Sequence, residues 1–491
     1  MPQSVKSATS SERPQVVIAG ASGFIGKSLV AALAPTCDIV ALSRHAMPAT
    51  NSFGDKPKEG KPSIIWRQCD LFSTIETEKS LAGCDIAIYL VHSMMPSARL
   101  AQGRFEDFDL VIADNFGRAA RSCGIRRIIY LGGIIPSGEL SRHLASRLEV
   151  EKVLAEFGVP VIALRAGMVI GRNGSSFEIM RKLVQRLPLM VCPKWTSTKS
   201  RPIAVEDVIA AMDKVVNDPH LAAGSYDLGG SETVTYLEMM KTLARMLGKR
   251  RIMIPVFIFS PRLSCLWVRL VARAPRELVT PLVESLRHEM VPRDQYILDR
   301  YEITPSSFYS AMAQSIAVGK RPAVAPDTKA GADAVANGNT VFSFQRMPLP
   351  PGKSATWVAE QYANWIIEFF RPLLRVERTQ GGLLTIKFRF LFSFFEFVLI
   401  QLAYEPKKST PHSCVYLITG GVLVSKTAPK IGIFEFREVL CGKSLIVAIS
   451  DYSPALPWWL YKKTQAFVHL RVMNAFRRHL MRNAKSQIIT A

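Results

Sequence analysis

Val16-Val-Ile-Ala-Gly-Ala-Ser-Gly-Phe-Ile-Gly26 is the stretch whose reading decides the fold. Four small and apolar residues suited to a buried strand run into Gly20-x-x-Gly23-x-x-Gly26. The segment Lys27-Ser-Leu-Val-Ala-Ala-Leu33 then follows with helical spacing. A strand that passes at once into a helix aims backbone N–H groups at whatever lies against the helix N-terminus, a place that favours a pyrophosphate. In such a turn Gly20 permits the sharp bend, Gly23 lets the backbone approach the phosphates, and Gly26 lets the helix pack on the strand. Gly20, Ser22, Gly23, Phe24, Ile25 and Gly26 are therefore assigned to a bound dinucleotide.

The next apolar run, Asp38-Ile-Val-Ala-Leu-Ser43, ends at Ser43-Arg44-His45. A site for NAD places an acid here to bind the ribose 2′-hydroxyl. This chain has none, and Arg44 offers a charge-assisted contact to a 2′-phosphate. NADP(H) is the expected cofactor, with Ser43 and Arg44 at its ribose. Asp70 and Leu71 close a third strand and are assigned to the adenine end. The fourth strand, Asp85–Val91, leads into His92 and Ser93, expected near the cofactor ribose.

These strings, with Asn115, Arg127-Ile-Ile-Tyr-Leu-Gly-Gly133, Leu164-Arg-Ala-Gly-Met-Val-Ile-Gly171, Arg201–Val208 and Tyr226-Asp-Leu-Gly-Gly230, resemble the extended and atypical (NmrA-like) short-chain dehydrogenase/reductase superfamily over about residues 15–300. The resemblance implies a doubly wound parallel sheet of the Rossmann type with a small substrate lobe. It also implies a catalytic Tyr followed four residues later by a Lys. This chain carries His143 and Arg147 there, and Gly132-Gly133 where a supporting serine would fall. His143 is a candidate general acid, its ordinary pKa being about 6.5. His92 and Ser93 are the other catalytic candidates. Arg147 cannot lose its proton, yet it can hold ribose or phosphate oxygens. Tyr130 alternates as a strand-packing residue and is no substitute.

The chain has 491 residues, 48% of them hydrophobic, enough for two or three domains. Residues 1–14 are polar, lack a signal-peptide core and read as a disordered leader. Eight cysteines are scattered without a CxxC pair, so neither a zinc site nor a disulfide framework is implied, and a cytoplasmic setting is expected. The formal net charge of +22 is concentrated. Met239–Arg276 holds nine Lys or Arg and no acid; Tyr452–Ala491 holds seven and no acid. Such patches attract anionic surfaces. No nucleic-acid reader motif accompanies them, so the expected surface is the inner face of a membrane, touched peripherally, or else the patches are solvated helix faces. The apolar run Phe388–Leu402 is too short to span a bilayer, carries Arg389 and Glu396, and suits strands.

The first domain is expected over 15–318. Residues 319–340, rich in Ala, Pro and Gly, read as a flexible linker. Residues 341–491 read as an α+β domain: a strand, a helix over Trp357–Leu374, several antiparallel strands and a closing helix from about Trp458 to Arg482. That order resembles the START-like helix-grip domain, which would leave an apolar cavity. Glu435 and Arg437 share a strand face and are expected to pair. Three functions are open. One is an NADP(H)-dependent oxidoreductase acting on a hydrophobic carbonyl, enone or quinone. Another is a non-catalytic NADPH-binding sensor or assembly factor at a membrane surface. The third is a peripheral lipid-transfer or tethering protein.

Overall fold

The structure, a computed structural model, describes residues 13–44, 63–92, 100–256, 261–273, 275–317, 340–369, 374–378, 383–389, 396–427 and 430–489. The expected leader and linker lie outside these, apart from Arg13, Pro14 and Thr340; Ser93 lies outside them as well.

The chain begins β1 (Gln15–Ala19), α1 (Phe24–Leu33), β2 (Asp38–Ser43), β3 (Ile64–Gln68), α2 (Thr74–Leu81), β4 (Ile86–Tyr89), β5 (Leu100–Gln102), α3 (Phe105–Ser122), β6 (Arg127–Gly133), α4 (Arg142–Ala155) and β7 (Val161–Ala166). It continues with β8 (Val169–Ile170), α5 (Ser175–Arg186), β9 (Leu189–Pro193), β10 (Lys199–Ser200), β11 (Ile203–Ala204), α6 (Val205–Asn217), β12 (Gly224–Leu228), β13 (Val234–Thr235), α7 (Tyr236–Met246) and β14 (Ile252–Val256). Helices α8 (Pro261–Ala272), α9 (Arg276–Ser285), α10 (Tyr296–Arg300) and α11 (Phe308–Ala317) follow. The last part runs β15 (Val341–Pro348), α12 (Ala355–Phe369), β16 (Leu374–Arg378), β17 (Leu383–Arg389), β18 (Glu396–Tyr404), β19 (Ser413–Gly420), β20 (Gly432–Val439), β21 (Ser444–Tyr452), α13 (Trp458–Lys463) and α14 (Gln465–Ile489). The closing helix is thus two helices, broken at Thr464.

The chain divides into two compact units: 1–95 with 112–325, and 96–111 with 326–491. In the first, seven parallel strands stand in the order β12-β7-β6-β4-β1-β2-β3. Alternation along each strand separates two faces. Val16, Ile18, Ile39, Ala41, Ile86, Ile88, Ile129, Ile162 and Leu164 pack against α1 and α6 in one core. The alternate residue Tyr89 turns away from them and meets Phe116 of α3 edge-on, ring centroids 5.0 Å apart. A sheet buried on both faces explains why its strands read as unbroken apolar runs. A second core, built from α5, α7, α8, α9, α11 and β9, forms the small lobe.

The second unit holds an eight-stranded sheet, β16-β17-β18-β19-β20-β21-β15-β5. Every neighbouring pair is antiparallel except β15 with β5, where Leu100 pairs with Val341 and Gln102 with Ser343. Of the run 388–402, the described residues, 388–389 and 396–402, lie in β17 and β18, as its β-branched and aromatic content predicts. On β20 the fork of Arg437 grips Glu435 through two hydrogen bonds of 2.8 and 2.7 Å. The core behind the sheet is aromatic: Tyr362 of α12 contacts Phe434, Phe436 and, edge-on, Phe476 of α14.

The sequence reading kept 96–111 in the first domain, whereas those residues cluster with the second unit. A three-residue strand carries too little pattern to be seen in sequence. Its place is set by partners some 240 residues away: Phe108 packs edge-on against Phe344 at 5.8 Å, and Asp107 pairs with Arg346 at 2.9 Å. Phe344 is fully buried, so Phe344→Ala should cost about 3–5 kcal/mol. Urea unfolding followed by far-UV circular dichroism measures it, and a loss below about 1 kcal/mol would show that this segment docks without depending on that side chain.

Candidate functional site

The site starts from the glycine turn. Gly20 has φ +88°, a conformation that suits glycine, and a Cβ there would lie 3.2 Å from the backbone and Cβ of Leu90 at the end of β4. Gly26 is tighter: a Cβ would meet the Gly20 carbonyl oxygen at 2.2 Å and Ala21 Cα at 2.7 Å. Helix α1 therefore rests on the end of β1 at backbone contact. Its N-cap, Gly23, supplies no side-chain cap, and its first turn carries no acid. Gly23 and Ser22 are exposed, Phe24 and Ile25 half-buried. An uncapped, acid-free helix start with orphan N–H groups and an open approach is the arrangement that fits a dinucleotide pyrophosphate. It stands between the ends of β1 and β4, where the strand order reverses and ligands of open α/β sheets bind.

The remaining cofactor candidates lie along the same carboxyl edge of the sheet. Ser43, buried, ends β2, and Arg44 beyond it is exposed. Asp70 follows β3; its carboxylate accepts the Phe72 N–H at 3.2 Å, and its own N–H donates to Glu76 at 3.0 Å. Leu71 is buried, and its carbonyl accepts from Asn115. Asn115, fully buried in α3, also donates to the Phe72 carbonyl and accepts from Thr74. This marker residue thus holds the loop after β3 in place.

Three catalytic or binding candidates converge. His92, exposed, follows β4; His143 and Arg147 lie one turn apart on α4; and the charge of Arg147 acts on both histidines. The cap of α4 is Ser141, whose Oγ accepts the Leu144 N–H, so His143 is not needed as a cap. His143 is half-buried against a pocket, and desolvation, with Arg147 second, pushes its pKa down to about 3. It is a neutral imidazole at pH 7. Arg147 is only 7% exposed, and no carboxylate among the described residues pairs with it. A buried guanidinium without a counter-charge is costly unless an anion or a developing negative charge meets it. The Tyr130 hydroxyl, fully buried, donates to the Arg147 carbonyl at 3.2 Å and fixes that turn of α4 from below.

The pocket beside His143 opens to solvent and has a cavity volume of about 150 Å³. Gly133 and Ala166, at the ends of β6 and β7, form its floor; Met168, Met180, Trp195, Met240, Val283 and Met290 form apolar walls from the small lobe. Tyr236 also lines it, and burial pushes its phenol up to about 12, so it stays protonated. Sequence reasoning did not single out Trp195 or Met290. Their signal, isolated large apolar residues on short elements, is the same as that of any core residue.

Residues 16–229 match the model of the NAD dependent epimerase/dehydratase family. The first unit is thus a Rossmann-type nucleotide-binding fold similar to that family. Among curated proteins, the chain is 29% identical over 151 residues to auxiliary protein GraX of Staphylococcus aureus, covering 30% of this chain and 43% of that protein. It is 22% identical over 252 residues to the mitochondrial NADH-ubiquinone oxidoreductase 40 kDa subunit of Neurospora crassa, covering 49% of this chain and 63% of that one. The chain therefore spans less than two thirds of the length of these relatives. Among solved structures, a nucleoside-diphosphate-sugar epimerase from Staphylococcus aureus aligns with TM-score 0.48 at 15% identity, over 61% of this chain and 99% of that one.

Gly26→Ala sets a methyl against backbone that cannot swing aside. The variant should lose dinucleotide binding by at least about tenfold, because the helix start must move by more than the contact tolerates. Fluorescence titration with NADPH measures this, and unchanged affinity would show that the turn does not form the site.

Proposed function

We propose that the first unit is an NADP(H)-dependent reductase acting on a hydrophobic carbonyl, enone or quinone acceptor. The observation that carries the reading is an uncharged His143 lining an apolar pocket, with the charge of a buried Arg147 one turn further along α4 acting on it. The pocket favours an apolar acceptor. Gly20–Gly26 would hold the pyrophosphate, and Arg44, exposed at the end of β2, would meet the 2′-phosphate. Bound NADPH supplies a hydride. The residues of this chain then serve the acceptor oxygen, which gains negative charge as its carbon is reduced. Arg147 offers a fixed positive charge in a poorly solvated place, where such stabilisation is largest. His143, held neutral, has no imidazolium proton to give; its ring N–H donates a hydrogen bond, and water supplies the final proton. This revises the general-acid role first expected of His143. His92 would extend the same cluster.

The missing Tyr/Lys pair favours one second reading, an NADPH-binding sensor or assembly factor without turnover. For the second unit, we read its sheet order and its helices α12 and α14 as a helix-grip, START-like domain; the strand-helix-antiparallel sheet-helix order supports this.

Arg44→Asp should weaken NADPH by about tenfold or more while sparing NADH, and equal losses would remove the 2′-phosphate assignment. Arg147→Met should lower kcat/KM with quinones or enones by roughly a hundredfold, and His143→Ala by less. The wild-type rate should show no ionisation near pH 6.5, since His143 titrates far below it. A protein that binds NADPH but oxidises it with none of these acceptors is the sensor.

A further inference from the structure

Strands β9 and β14 form a two-stranded parallel sheet on the small lobe, with Ile252 opposite Leu189 and Ile254 opposite Val191. Partners in register point to the same side, and residues two apart share a face. Met190 and Met253 point inward to the lobe core. Leu189, Val191, Ile252 and Ile254 point outward, and they are 51%, 52%, 66% and 44% exposed. Four aliphatic side chains thus make one contiguous outward block. Helix α8 of the same lobe exposes Leu266 and Leu270, one turn apart and 61% and 78% exposed. The edges of this region are tied by arginines that donate to backbone carbonyls: Arg251 to Val184 and Gln185, and Arg186 to Val271.

The chain segments that build the block are rich in bases, although Arg181 pairs with Glu178 just before the first of them. Both chain segments that build it lack Asp and Glu: Ile179–Val205 holds six Lys or Arg, and Met239–Arg276 holds nine. Lys249 and Arg250, at the start of β14, are exposed.

We infer that this face is a docking surface for an anionic lipid bilayer, with the four aliphatic side chains entering the headgroup boundary and the surrounding bases meeting lipid phosphates. Aliphatic centres ringed by bases are the chemistry of interfacial binding. A second copy of the chain fits poorly, because a two-fold contact would set two base-rich stretches of chain against each other. Nucleic acid fits poorly too, because base recognition of single strands uses aromatic stacking platforms, and this block has none. The surface stands independently of the reductase reading, yet the same lobe core walls the pocket through Met180, Leu183, Met240 and Val283.

The test is flotation of the full-length protein with phosphatidylcholine vesicles, with and without phosphatidylglycerol. The protein should bind the anionic vesicles and leave them as salt rises. Ile252→Ser/Ile254→Ser should weaken that binding by about tenfold or more, and Lys249→Glu/Arg250→Glu should remove its salt-sensitive part. All four positions are exposed, and matching thermal melts confirm that the variants are folded. Absence of binding, equal binding to neutral vesicles, or full binding by the folded Ile252/Ile254 variant would overturn the proposal. So would a dimer that the serine variant breaks in a protein indifferent to vesicles.

Discussion

Everything in the first unit depends on one close approach, that of helix α1 to the end of β1. No side-chain atom fits between Gly26 and the Gly20 carbonyl. Only at that distance does the helix start stand free at the carboxyl edge of the sheet, uncapped and open. The parallel sheet then orders the other contributors. Each strand ends at the same edge, so Arg44, Asp70, His92 and Gly133 come to one rim though they lie far apart in the chain. The apolar cores on both faces keep that rim rigid.

The charge logic of the site follows from burial. An acid near Arg147 would neutralise it, and a solvated His143 would titrate near neutral pH. The structure has neither condition. Arg147 is enclosed without a described carboxylate, and desolvation keeps His143 uncharged. His143 thus lines, as a neutral ring, a pocket whose walls are methionine, tryptophan and aliphatic side chains, and the charge of Arg147 acts on it from one turn further along α4. This differs in kind from a phenol poised by a lysine, in which a titratable proton is shared.

The second unit shows a different economy. Its sheet is antiparallel, its core aromatic, and it takes an edge strand from within the other unit's sequence. Among the described residues no helix is long and apolar enough to cross a membrane. The basic excess read from composition divides accordingly. Part of it surrounds an aliphatic block on the small lobe; part lies on α14, where Arg471, Arg477, Arg478 and Arg482 are exposed.

The sequence by itself determined the glycine turn, the alternation of strands with helices, the absence of an acid after β2, and the replacement of Tyr and Lys by His143 and Arg147. These are local facts, carried by backbone conformation, periodicity and residue type at fixed spacing. It also placed Glu435 and Arg437 on one strand face, where they pair. Only the tertiary structure decided what depends on distant chain. The β5 segment joined β15 because Phe108 and Asp107 find Phe344 and Arg346. The pocket walls came from elements more than a hundred residues apart. Leu189 and Val191 became a surface only because Ile252 and Ile254 pair beside them, and the His143 pKa falls well below its ordinary value because the fold partly withdraws it from water. Burial and cross-strand register are properties of packed pairs, and no single stretch of sequence contains both partners.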